Sequence, residues 1–161
     1  MRIGIVSDTH LPHFGGLPRA LVAGLQGVDL ILHTGDFTGD EVPALFEAIA
    51  PLEAVAGNND GPGLVLRYGR TKVVTLAGVR IGLTHGDDRR HPARAVARHT
   101  FKDVDVVCYG HSHVPECTQE AGVWYLNPGS PTDKRRMPDY SYGILELADG
   151  RATPTLYHFT R

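Results

Sequence analysis

Five short segments hold residues suited to metal chemistry: Asp8-Thr9-His10, Gly35-Asp36, Gly57-Asn58-Asn59-Asp60, His85-Gly86 and Gly110-His111-Ser112-His113. Imidazole nitrogens mixed with carboxylate and amide oxygens suit Mn²⁺, Fe or Zn²⁺, whereas magnesium or calcium would be held by oxygen almost alone. The potential ligands are Asp8, His10, Asp36, Asn58, His85, His111 and His113, too many for a single zinc ion. Asp36 has two oxygens and so can bridge ions roughly 3.5–4 Å apart, the separation used in two-metal hydrolysis. His111 and His113 are two residues apart, so on a bent loop they can point into one cavity while addressing different ions. Asp8 and His10 share that spacing. Each segment alone is a weak pattern; together they predict a transition-metal centre.

Elements of regular structure must bring these segments together. The apolar run at residues 3–6 stops at Ser7-Asp8, the run at 29–32 leads into Gly35-Asp36, and the run at 52–56 ends at Gly57. Residues 104–109 form a further run that ends at Gly110. Each reads as a buried strand feeding a polar loop. Leu17, Leu21, Leu25 and Val28 recur at helical spacing behind Pro18, which predicts a crossover helix and a βαβ unit. A second helix is predicted over 41–49 and a third over about 92–102. Residues 71–76 and 79–84, joined by Ala77-Gly78, read as a hairpin. The last third, with runs at 123–126, 142–147 and 155–159, reads as antiparallel strands. In open α/β sheets ligands gather at the carboxyl ends of strands, which is where the candidate ligands fall.

A chain of 161 residues is long enough to bury a core without staples, and one domain, 1–161, is expected. Its 42% hydrophobic and 21% charged content is that of a soluble globular protein. No apolar run approaches the length of a membrane span and the N-terminus lacks a signal-peptide pattern, so a cytoplasmic location is expected. Cys108 and Cys117 form neither a disulfide framework nor a zinc-knuckle pattern and read as packing residues. A net charge of −2 argues against extended nucleic acid as a partner and leaves a small phosphorylated substrate allowed.

The motif order DxH, GD, GN, HG, GHxH resembles the calcineurin-like metallophosphoesterase superfamily over residues 3–113. The short chain and Asn127-Pro128-Gly129-Ser130 resemble its small single-domain prokaryotic phosphodiesterase branch. The resemblance implies an α/β (α+β) fold of two facing mixed β-sheets flanked by helices, a four-layer sandwich. It also implies two divalent transition-metal ions, Mn²⁺ first and Ni²⁺, Fe or Zn²⁺ as alternatives. The first would be held by Asp8, His10, Asp36 and His113, the second by Asp36, Asn58, His85 and His111. The implied activity is hydrolysis of small phosphodiesters or nucleotide-like esters by a metal-bound hydroxide; a homodimer is compatible with the family. The alternatives are a phosphomonoesterase or phosphatase, and a non-catalytic scaffold like the retromer subunit of this fold.

One departure concerns Asn59, where many family members carry a histidine that assists the leaving group. An amide can donate a hydrogen bond to a phosphate oxygen but cannot deliver a proton, and general acid catalysis is worth roughly a hundred- to ten-thousand-fold. Asn59 and Asp36 are thus the candidate catalytic residues, with His13 and His91 as candidate replacements for the acid. Members of the small branch commonly lack this histidine as well.

Other polar residues have plainer readings. His33 reads as a hydrogen-bonded core histidine, and His99 and His158 as surface or packing residues. Arg89-Arg90 and Lys134-Arg135-Arg136 read as solvated loops, and Asn127-Pro128-Gly129-Ser130 as a tight turn placed near the site only by the resemblance. Asp60 either orients Asn59 or caps the following loop.

Overall fold

Strand residues of this chain alternate between two apolar environments, and that alternation builds the layers. The computed structural model describes residues 1–11 and 15–160. Its elements run β1 (Arg2–Val6), α1 (Arg19–Leu25), β2 (Leu30–His33), α2 (Val42–Glu47), β3 (Leu52–Ala54), α3 (Pro62–Tyr68) and β4 (Thr71–Leu76). They continue through β5 (Val79–Thr84), α4 (Ala93–Thr100), β6 (Val106–Cys108), β7 (Glu116–Glu120), β8 (Val123–Asn127), β9 (Tyr140–Ala148) and β10 (Arg151–Phe159). One sheet has the order β10-β9-β1-β2-β3 and the other β4-β5-β6-β8-β7. In the first, β1, β2 and β3 are parallel while β9 runs against β1; in the second, β5, β6 and β8 are parallel between antiparallel edges.

Ile3 and Ile5 of β1, Leu30 and Leu32 of β2, and Leu145 of β9 meet Ile81, Val106 and Leu126 of the other sheet in one buried cluster. The intervening residues, Ile31 and Ile144 among them, face the opposite way and pack with Leu21, Phe46 and Leu64 from α1, α2 and α3. On the far side of the second sheet Val107 packs with Ala93 and Ala97 of α4. Period-two alternation on strands buried on both faces therefore yields the expected four layers, two mixed sheets between helices. Among the described residues no helix is long and apolar enough to cross a membrane.

The hairpin lies where it was predicted, with Ala77 and Gly78 both at positive φ (48° and 79°), the backbone that two-residue hairpin loops require. Two elements were not anticipated. Helix α3 begins at Gly61-Pro62-Gly63, which reads as a turn; proline at the first helical position costs no hydrogen bond, and Leu64 and Tyr68, four residues apart, bury one face. Strand β7 (Glu-Cys-Thr-Gln-Glu) is mostly polar because it is an edge strand. It reverses the chain after β6, so β8 lies parallel to β6 and the expectation of purely antiparallel strands in the last third fails at that point.

His33, at the end of β2, is fully buried and stacks on Phe37 with ring centroids 3.7 Å apart. Its Nδ1 accepts the Gly35 N–H at 3.1 Å, which leaves Nε2–H to donate to Thr9 Oγ1 at 2.6 Å. Burial pushes its pKa down to about 3 from 6.5. The folded state therefore keeps this ring neutral, and the unfolded chain binds one more proton as pH falls through 6.5 toward 3. Its contribution to stability is complete above 6.5 and fades in acid, by up to about 1.4 kcal/mol per pH unit. We expect denaturant unfolding at pH 7, 6 and 5 to show a steeper loss in the native chain than in His33→Gln; parallel slopes would contradict a neutral buried His33.

Candidate metal centre

The carboxyl ends of β1, β2 and β3 in one sheet and of β5, β6 and β8 in the other carry the six loops that form the site. The loops bind one another. Asp8 N–H donates to Gly35 O at 2.9 Å, His10 N–H to Asp36 O at 3.0 Å, and Gly110 N–H to His85 O at 3.0 Å. His111 N–H donates to Asp8 Oδ2 at 3.0 Å, joining the two sheets directly.

At the junction, Asp8 Oδ1 and the Nε2 atoms of His10, His85 and His113 are all buried without a hydrogen-bond partner. Asp8 Oδ1 lies 3.3 Å from His113 Nε2, 3.8 Å from His10 Nε2 and 3.9 Å from His85 Nε2. Asp36 Oδ2 lies 3.3 Å from both His10 Nε2 and His85 Nε2. Two donor sets result, Asp8–His10–His113 and Asp8–Asp36–His85, each with its ligand atoms within 4.8 Å of one another. Leaving such atoms unpaired costs about 1–3 kcal/mol each, so their convergence fits a cation-binding centre.

Hydrogen bonds on the opposite ring nitrogens aim the histidines. His85 Nδ1–H donates to Thr34 O at 2.8 Å, and His113 Nδ1–H donates to the carbonyl of Asp133. Both Nε2 lone pairs thereby face the cluster, the usual arrangement of a metal-ligating imidazole. His111 Nδ1–H donates to Asn58 Oδ1 at 3.0 Å, and its ring meets that of His85 edge-on. Asn58 and His111 thus sit on the solvent side of the cluster, while Asp8, Asp36, His85 and His113 are 0–1% exposed.

The charges reinforce this picture. Burial opposes ionisation of Asp8, yet its neighbours His10, His113 and His85 outweigh it and hold the carboxyl below the usual range. Burial likewise opposes ionisation of Asp36, and His10, His85 and Asn59 reverse the effect. For His10 burial disfavours the imidazolium, but Asp36 and Asp8 raise its pKa to about 9. Metal ligands must be deprotonated, so a cation bound here would compete with protons for these groups.

The local backbone is shaped for the same purpose. Asp8, His10, Asp36, His111 and His113 all have φ between 39° and 67°, a left-handed region that few non-glycine residues adopt and that functional sites concentrate. A β-carbon at Gly110 would overlap the Ser7 hydroxyl and one at Gly57 the Asp36 carboxylate, so both positions need glycine. Asp60 resolves the alternatives left open for it: Oδ2 accepts the N–H groups of Asp36 (2.9 Å) and Gly57 (2.7 Å), and Oδ1 that of Thr38 (2.9 Å). It fixes the two loops and makes none of these bonds to Asn59. The Asn127–Ser130 turn is also part of the support. Asn127 Nδ2 donates to Gly110 O and Ser112 Oγ, both at 3.0 Å, and Ser130 Oγ donates to Asp8 O at 2.6 Å.

Asn59 donates its backbone N–H to Asp36 Oδ1 at 2.8 Å and its amide to Asp36 Oδ2 at 2.7 Å. The amide expected to face phosphate is here engaged in orienting a carboxylate. His91 is exposed and bonds Asp88, lining a cleft with His99 and Thr100 rather than the one with Asn58 and His111. His13 lies outside the described residues. Arg89 is exposed, as read, yet it lines the cleft of about 630 Å³ that holds Asn58 and His111. Lys134, Arg135 and Arg136 line another beside His113. From sequence these cations read as solvated loops.

The chain matches the model of the calcineurin-like phosphoesterase superfamily domain over residues 1–150. It is 34% identical over 154 residues to a probable metallophosphoesterase of Methanothermobacter thermautotrophicus, covering 91% of this chain and 86% of that one. Among solved structures, a novel archaeal phosphodiesterase is similar with a TM-score of 0.75 and 26% identity, covering 98% of this chain and all of that one. Vps29 of Entamoeba histolytica complexed with zinc is similar with a TM-score of 0.72 and 25% identity, over 99% of this chain and 100% of that one.

Asp60→Ala removes the acceptor for three backbone donors at the loop junction. It should lower unfolding free energy by about 2–4 kcal/mol and weaken metal binding roughly ten- to hundredfold, as loss of a supporting contact does. Urea titration and calorimetric metal titration check both; unchanged metal affinity would remove Asp60 from the support of the site.

Proposed function

The chain belongs to the calcineurin-like phosphoesterase superfamily, and we propose that within it this protein is a phosphodiesterase that uses two transition-metal ions, Mn²⁺ foremost. The observation that carries this reading is the convergence of four buried, unpaired donor atoms on Asp8, His10, His85 and His113 beside the Asp36 carboxylate. Asp8, His10, Asp36 and His113 would hold one ion and Asp36, Asn58, His85 and His111 the other. When bound, such ions supply Lewis-acid activation of water and neutralise charge on the phosphoryl group.

The chain's own residues perform the remaining work. Asp8 and Asp36 hold negative charge where it attracts cations, and the hydrogen bonds to Thr34 and Asp133 keep two imidazoles pointed inward. Asn59 fixes the rotamer of Asp36 through its backbone N–H and one amide N–H. No group at Asn59 can protonate a departing alkoxide, so esters with weakly basic leaving groups are favoured. That favours diesters with stabilised leaving oxygens over monoesters, in keeping with the similarity to an archaeal phosphodiesterase. The similarity to Vps29 supports a second reading, a scaffold of the same fold. The donor set fits both readings, since that Vps29 is complexed with zinc, and turnover is what separates them.

The test is hydrolysis of bis(p-nitrophenyl) phosphate and p-nitrophenyl phosphate by metal-stripped protein given Mn²⁺, Ni²⁺, Zn²⁺ or Mg²⁺ singly. Diester cleavage should return with Mn²⁺ and exceed monoester cleavage. Asp36→Asn should lose both bound metal and turnover by more than roughly a hundredfold, beyond the loss typical of outer contacts. An Asp36→Asn protein that keeps both sinks the assignment, and metal binding without turnover favours the scaffold.

A further inference from the structure

Beside His113 the chain places three consecutive cations, Lys134, Arg135 and Arg136, which with Ser112 and His113 line a cleft of about 280 Å³. The chain as a whole carries a net charge of −2, so this excess is local. The loop bearing it is fastened to the metal centre. His113 Nδ1–H donates to Asp133 O, Asp133 N–H donates to Ser130 Oγ at 2.8 Å, and the Thr132 hydroxyl donates to Thr9 O. Lys134 Nζ donates to the carbonyls of Met137 (3.1 Å) and Pro138 (2.7 Å) and lies 5.8 Å from the Tyr140 ring centre. Arg135 is held at φ 47°.

A solvated charge run needs none of these anchors. Asp133 lies 3.8 Å from the Arg135 guanidinium and offsets part of its charge. Arg136 is exposed and makes no hydrogen bond or ion pair with the described residues. A guanidinium presents a planar fork that matches phosphate oxygens, and a positive cleft raises the local concentration of anions.

We propose that this cleft is a second anion site, which binds a phosphomonoester carried elsewhere on the substrate. On the phosphodiesterase reading, from which this inference proceeds, the favoured substrates are small diesters bearing a further phosphate. Arg136 supplies the principal contact and Lys134 fixes the loop that presents it. The scissile group stays at the metal centre while the distal phosphate occupies the cleft beside His113.

The experiment compares binding of thymidine 5′-phosphate and thymidine 3′,5′-bisphosphate to the Mn²⁺-loaded full chain by calorimetry. It also compares turnover of the two corresponding 5′-p-nitrophenyl esters, one with and one without the 3′-phosphate. The bisphosphate should bind about tenfold or more tightly, the scale of one charge-assisted contact. Arg136→Glu should bring the affinity ratio close to one, and Arg136→Lys should retain part of it. Because Arg136 is exposed and makes no hydrogen bond or ion pair with the described residues, circular dichroism and melting of both variants should match the parent. Equal affinities in the parent, or a ratio unchanged in Arg136→Glu, overturn the second site. A preference in binding without cleavage of either ester leaves the second site standing and removes the phosphodiesterase reading; cleavage without preference does the reverse.

Discussion

Everything at this edge of the molecule depends on keeping two carboxylates, Asp8 and Asp36, ionised at 0% and 1% exposure. Burying a charge is expensive unless it is paired and hydrogen-bonded. The chain meets that cost with backbone donors, His111 N–H to Asp8 and Asn59 N–H to Asp36, and with a ring of imidazoles. Those contacts leave Asp8 Oδ1 and three Nε2 atoms without hydrogen-bond partners. The residual imbalance is what a cation corrects, so the fold's electrostatics and the family's metal chemistry have the same origin.

Much of this was legible in the sequence because the informative residues sit where two patterns change at once. Apolar runs at residues 3–6 and 29–32 end abruptly in Ser7-Asp8 and Gly35-Asp36, and the structure ends β1 and β2 at Val6 and His33. His33 could be separated from the ligands because it precedes the Gly35-Asp36 pair and still lies on the strand. The hairpin was readable because Ala77-Gly78 supplies the positive φ its turn needs. What escaped was structure whose cause lies far along the chain. Strand β7 is polar because it lies at the edge of its sheet, and α3 opens on residues that locally say turn.

The same distinction explains the support around the centre. Ligand types are written in the sequence, but the carbonyl of Thr34 or Asp133 that aims a histidine can come from any residue. Its role depends on position alone, and no composition or motif announces it. Asn59 illustrates the converse. Its identity suggested a donor to phosphate, and its position adds a second task, a backbone N–H and an amide N–H given to Asp36.

The centre is consequently uneven in depth. Asp8, His85 and His113 are held on the inner side by hydrogen bonds to His111 N–H, Thr34 O and Asp133 O. Asn58 and His111, on the outer side, bond to each other at 3.0 Å, and a ligand taking the His111 Nδ1 atom would have to replace that bond. Rigid donors favour tight binding because little reorganisation opposes it, whereas donors that must first separate lose part of their interaction energy. Depth therefore separates a tied inner group, Asp8, Asp36, His85 and His113, from a solvent-facing pair, Asn58 and His111.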